Sequence, residues 1–193
     1  MKKLILFLAA LAIVGCSDDD DNSSNSSAGT SFSFDGTTYQ LVPQAGMSEI
    51  VMEDVADYNG VAYDRSTISI VGMNGTSQTA TVSFDLYYKS GTSVEGTYAI
   101  YDQEADETGD FEEFLDGQNR GSMGWTSMGM VFNINTSAMT SGNNPTGTVK
   151  VVKNSANNYT LTYNGNFRMY QNGFTFVRNM PASINVVSNV ITQ

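Results

Sequence analysis

Residues 79–88, TATVSFDLYY, alternate one by one between two kinds of side chain. Ala80, Val82, Phe84, Leu86 and Tyr88 fall on one side, and Thr79, Thr81, Ser83, Asp85 and Tyr87 on the other. Successive side chains of a strand point to opposite faces, so a period of two requires a half-buried strand and rules out a helix here. Shorter stretches repeat the pattern: SFSF, TYQLV, STISIV, GTYAIY, GMVFNI, GTVKVV, YTLTY, NFRMY, FTFV and SINVV. Between them stand Asp35-Gly36, Asn74-Gly75, Ser90-Gly91, Asn164-Gly165 and Asn172-Gly173, pairs that tolerate the positive φ of hairpin turns. About ten short strands joined in this way predict an all-β, antiparallel sandwich or barrel. Residues 110–115 are the only helical candidate, so βαβ folds are unexpected.

Composition fits one domain. The chain has 193 residues, 40% of them hydrophobic, with 18 glycines for tight turns and only 3 prolines. Its formal charge is −11. Without Lys2 and Lys3 the balance is 7 basic against 20 acidic residues, or −13. Such a surface repels nucleic-acid phosphates and anionic headgroups, which argues against nucleic-acid partners and electrostatic membrane binding. There is no histidine, which removes Ser-His-Asp and Cys-His catalysis and His-ligated zinc. Cys16 is the one cysteine, so no intramolecular disulfide forms.

The amino terminus reads as an address. Met1-Lys2-Lys3 is a short positive segment, and LILFLAALAIV (residues 4–14) is an apolar run too short to span a bilayer as a stable helix. It ends in Ile13-Val14-Gly15-Cys16, which resembles the bacterial lipobox. The resemblance implies cleavage before Cys16 and a diacylglyceryl group on its thiol, with the new amine acylated in turn. Several acyl chains anchor stably where one is marginal. Ser17-Asp18-Asp19-Asp20-Asp21 resembles the export signal next to the lipidated cysteine in surface lipoproteins of Bacteroidetes-type bacteria. That likeness implies the outer membrane, with the domain facing outward. NSSNSSAGT (residues 22–30) holds one apolar residue, an alanine, and cannot pack. The expected organisation is a signal peptide over 1–15, a disordered lipidated tether over 16–30 and a β domain over 31–193.

GTVKVVKNSANNYTLTYNGNFRMYQNGFTFV (residues 147–177) resembles the C-terminal half of small β-rich lipoproteins of the same bacterial group. There a G-T-V-x-V strand, a polar turn and a Y-x-L-x-Y strand make a hairpin. FDGTTYQL and GTYAIYD resemble further landmarks. The resemblance bears on fold and address and carries no catalytic residues.

DQEADETGDFEEFLD (residues 102–116) holds eight carboxylates and no base. Laid on an EF-hand loop, Asp102, Glu104, Asp106, Asp110 and Glu113 fall at ligand positions, but Glu107 stands where the loop needs glycine. It is not an EF-hand. A looser calcium site on a sheet loop is the cofactor this segment would hold, and nothing else in the chain requires one. The same carboxylates are the material of a glycosidase pair, an acid/base chemistry that needs no histidine. Its bland alternative is a solvated acidic loop. Among the aromatics Tyr58, Tyr63, Tyr87, Tyr101 and Trp125, Tyr87 on the polar face of the best strand and Trp125 are the candidates to stack on a ligand, sugars above all. Met123, Met128 and Met130 are expected to fill the core. The leading expectation is a non-catalytic surface module that binds a glycan or a protein partner. A structural or adhesive envelope component and a His-free carboxylate glycosidase are the rivals.

Overall fold

The structure, a computed structural model, describes residues 29–43, 45–100, 115–116, 118–121, 127–171 and 175–192. Among them it is nearly all strand. The first half holds β1 (Ser31–Phe34), β2 (Thr37–Leu41), β3 (Met47–Tyr58), β4 (Val61–Asn74), β5 (Gln78–Lys89) and β6 (Gly96–Ile100). The second holds β7 (Arg120–Gly121), β8 (Met128–Asn133), β9 (Ala138–Asn143), β10 (Thr148–Ser155), β11 (Asn158–Gln171) and β12 (Thr175–Thr192).

All twelve belong to one sheet that closes on itself at two levels. At one end the ring runs β4-β3-β12-β11-β10-β6-β7-β5 and back to β4. At the other it runs β12-β1-β2-β4-β5-β8-β9-β11 and back to β12. The strands β4, β5, β11 and β12 are common to both, so the molecule is a barrel whose side walls are patched by different strands at each end. Pairing is antiparallel except between β12 and β3 and between β6 and β7. Closure leaves few open edges, the usual weak point of a sheet.

The interior obeys the period of two. Ala80, Val82, Phe84, Leu86 and Tyr88 all point inward and are buried, as their alternation requires. Phe84, Phe167 and Tyr163 meet with ring centroids 4.8 to 5.7 Å apart, and Phe34 packs edge-on against Phe167 at 5.6 Å. Phe34 reaches across the barrel to β8, where Gly129 makes room for its ring. A Cβ there would lie 2.3 Å from Phe34 Cζ.

Several expectations are corrected. Asn164-Gly165 is not a turn: YTLTY and NFRMY form the single strand β11. Gly165 is instead a point of close approach, where a Cβ would stand 2.3 Å from the Thr146 carbonyl oxygen and 2.6 Å from the Tyr163 hydroxyl. Thr175 to Val177 of FTFV and the whole of SINVV are likewise one strand, β12. Asp35-Gly36 does close the β1–β2 hairpin with φ of 50° and 76°, and Asn59-Gly60 does the same between β3 and β4. Met128 and Met130 do not fill the core, because Gly129 takes the inward position between them and turns both outward. Packing begins two residues ahead of Ser31: Gly29 N–H donates to Asn185 O at 2.8 Å, and Val187 N–H donates to Gly29 O. The β10–β11 hairpin is present, with Val149 opposite Tyr163 and Val151 opposite Leu161.

Candidate functional site

Tyr87 is not a surface ring. It is 4% exposed, packed with Tyr63 and Leu115 in a small cluster on the outside of the β4–β5 wall. The polar face of β5 therefore ends at Ser83, and Leu115 covers Tyr87 beyond that point. Leu115 is the one residue of the helical candidate 110–115 that is described. Cys16, Ser17 to Asp21, the ligand candidates Asp102, Glu104, Asp106, Asp110 and Glu113, and Trp125 lie outside the described residues. Among the described residues no three His, Cys, Asp or Glu side chains group as metal ligands.

Three carboxylates that the strands do bury have hydrogen-bonding work. Glu49, 4% exposed, accepts from Ser66 Oγ at 2.8 Å, and the same Oγ lies 2.8 Å from the Tyr88 hydroxyl. Tyr159 on β11, two strands away past β12, also bonds to Glu49, and burial together with that neighbouring charge pushes its phenol up to about 12. Asp85 accepts from Thr67 Oγ1 at 2.5 Å and faces Arg65 at 3.8 Å. Asp64 accepts from Ser90 Oγ at 2.5 Å, Asp54 N–H at 3.1 Å and Gly91 N–H at 3.3 Å. Burial alone would raise Asp64, but these three donors outweigh it and hold the carboxyl below its ordinary value. Asp64 thereby pins the Ser90-Gly91 turn, whose glycine has φ 75°.

From that turn the β5–β6 loop builds an open groove. Val94 dips into the core and its carbonyl accepts from the Tyr98 hydroxyl at 2.5 Å. The residues on either side are thus left outward. Thr92 Oγ1 donates back to Lys89 O at 2.6 Å, and Glu95 N–H donates to Ser93 Oγ at 3.3 Å. Opposite stand Gln118 and Asn119, held because Gln118 N–H donates to the carbonyl of buried Leu115 at 2.7 Å. The Asn119 amide occupies the space over Gly96, where a Cβ would lie 2.9 Å from Nδ2. The groove encloses about 570 Å³, and Lys89, Thr92, Ser93, Glu95, Thr97, Gln118 and Asn119 line it.

Every one of these side chains carries hydrogen-bonding groups, and none is aromatic. Pockets of this size are ordinarily apolar with a few polar groups. A wholly polar lining selects a ligand that carries many hydroxyls or amides of its own. Among the described lining residues Glu95 is the one carboxylate. A second hollow of about 430 Å³, lined in part by Thr30, Leu41, Pro43 and Val187, sits where the chain enters the barrel. The groove residues were not singled out from sequence. Their signal, hydroxyls in SGTSVEGT (residues 90–97) around one valine, reads equally as an ordinary turn.

Comparison with protein-family models, with curated proteins and with solved structures finds no match to this chain.

Proposed function

We propose that this chain is a non-catalytic binding module, tethered by lipid on Cys16 at the outer membrane and facing outward, and that its groove takes a glycan. The observation that supports the ligand class is the lining of the groove: seven side chains with hydrogen-bonding groups, among them one cation and one anion. A sugar satisfies such a lining, whereas an apolar ligand leaves it unpaired at a cost of about 1–3 kcal/mol for each stranded group. Gln118 and Asn119 are the amides suited to reading hydroxyl pairs, with Glu95 at the rim.

The test is a glycan array probed with the soluble chain from Ser17 onward, which keeps every described residue. Retention of a neutral or amino sugar is expected, and Gln118→Ala with Asn119→Ala should weaken it about tenfold or more, or some 1.4 kcal/mol. Failure to retain any glycan, or retention indifferent to both substitutions, would overturn the reading. The anchor has its own check: Cys16→Ala should move the protein from the detergent phase to the aqueous phase, and unchanged partitioning would sink the lipid assignment.

A second reading, an adhesive envelope component, is favoured by β3. Past Glu49 that strand pairs only with β4 among the described residues and exposes Ile50, Val51 and Met52. The bulge between Met52 and Ala56, with Asp54 at φ 50°, blunts this edge against indiscriminate pairing.

A further inference from the structure

Four neighbouring strands, β4, β5, β8 and β9, turn a charge-free face outward on the second ring. The registers place Met73, Thr79, Phe132 and Met139 in one row across them. Val71, Thr81, Met130 and Ser141 make the next, and Ser69, Ser83, Met128 and Asn143 the third. Three positions on each of four strands give twelve side chains without one Asp, Glu, Lys or Arg. The first charges lie beyond them, at Asp85 and Arg65 along the wall and at Arg168 past Asn143. Met139 is 63% exposed, and Met73, Met128 and Phe132 are also exposed.

An exposed apolar patch of this kind marks an interaction surface. We infer that the face formed by β4, β5, β8 and β9 is where a second copy of this chain docks, sheet against sheet. Charge decides the occupant. A chain of formal charge −11 repels its own copies over most of its surface. Here two copies meet with no carboxylate brought against another and no charge stripped of water. A two-fold contact sets the same patch on each side, and unbranched methionine side chains re-pack against one another where rigid ones would clash. The chain enters the barrel at Gly29 beside β12, and Phe34 spans the interior from β1 to Gly129 of β8, so the point of entry lies on the wall opposite this face. The inference is independent of the glycan groove, which lies at the other end of the barrel.

Sedimentation equilibrium of the chain from Ser17 onward tests it. A dimer is expected, and Met128→Lys with Met139→Lys should raise its Kd at least about tenfold. Ser183→Lys, on β12 beside β1 and across the ring from this face, should leave the Kd unchanged. Because Cys16 is the only cysteine, Ser141→Cys in this chain gives a single thiol on the face. Under oxidation it should cross-link the two copies, which keeps the test valid even if the lysine variant folds poorly. A chain that stays monomeric at ~100 µM, well above the Kd of a specific dimer of ordinary interface size, overturns the inference. So does a dimer of equal strength in the folded lysine variant, and so does a dimer that the cysteine at position 141 does not cross-link.

Discussion

Gly129→Ala should destabilise the barrel by about 2 kcal/mol, far more than one methyl group suggests. The added Cβ would lie 2.3 Å from Cζ and 2.5 Å from Cε2 of Phe34, a fully buried ring. The ring cannot simply swing aside, because Phe167 stands against it at 5.6 Å. An alanine normally gains slightly over glycine within a strand, so a loss here isolates the overlap. Phe34→Leu alone opens a cavity and costs about 1–2 kcal/mol. Joined to Gly129→Ala, the smaller side chain leaves room for the new methyl, so the double variant should be at least about 1 kcal/mol more stable than the sum of the two losses. Urea unfolding of the four chains decides the matter. Strict additivity would mean that Phe34 does not occupy the space over Gly129.

Glu49→Ala should cost about 3 kcal/mol or more. The Ser66 and Tyr159 hydroxyls lose the acceptor they share, inside a barrel where water does not replace it, and each stranded group carries about 1–3 kcal/mol. Glu49→Gln keeps one acceptor oxygen and should lose about half as much. The cage also has an alkaline signature. The Tyr159 phenol is raised from 10.0 to about 12 by burial first and by Glu49 second. Folding therefore favours the protonated phenol. That contribution is complete below pH ~10, the unfolded value, and is lost as pH rises towards about 12. Tyr159→Phe should remove this component of the alkaline limb, and Glu49→Gln should make it shallower because the neighbouring charge is gone. Unfolding free energy measured against pH, beside phenolate absorbance, checks both. An alkaline limb of equal slope in all three chains would place the titration elsewhere.

What alternation could reveal was local. The inward set of β5 was readable in full, since a period of two needs no knowledge of the partner strand. The same rule missed β3, because MSEIVMEDVADY leaves the barrel after Glu49 and the consecutive Ile50, Val51 and Met52 face solvent on both sides. It missed β9, AMTSGN, whose inward position is Gly142. Glycine misled in two opposite ways. At Gly36 it marks a turn, but at Gly165 it lets two chain segments touch, and only the neighbour at Thr146 distinguishes the cases. Tyr87 looked solvent-facing because its cover, Leu115, comes from 28 residues further along the chain. The groove was invisible for a related reason. Threonine, serine, glutamine and asparagine are ordinary loop residues until the fold brings residues 89–97 and 118–119 to the same hollow.

The two rings share β12, the last of the twelve strands to be synthesised. Ser33 pairs with Ser183 across 150 residues of chain, and Met47 pairs with Val190 across 143. Neither ring closes until β12 arrives, so a chain emerging amino end first holds an open, unfinished sheet for most of its length. Such non-local closure makes folding slow. For a chain exported as proposed, threaded across membranes in extended form, that delay is useful: the polypeptide stays loose until its end is delivered, and then sets as a whole.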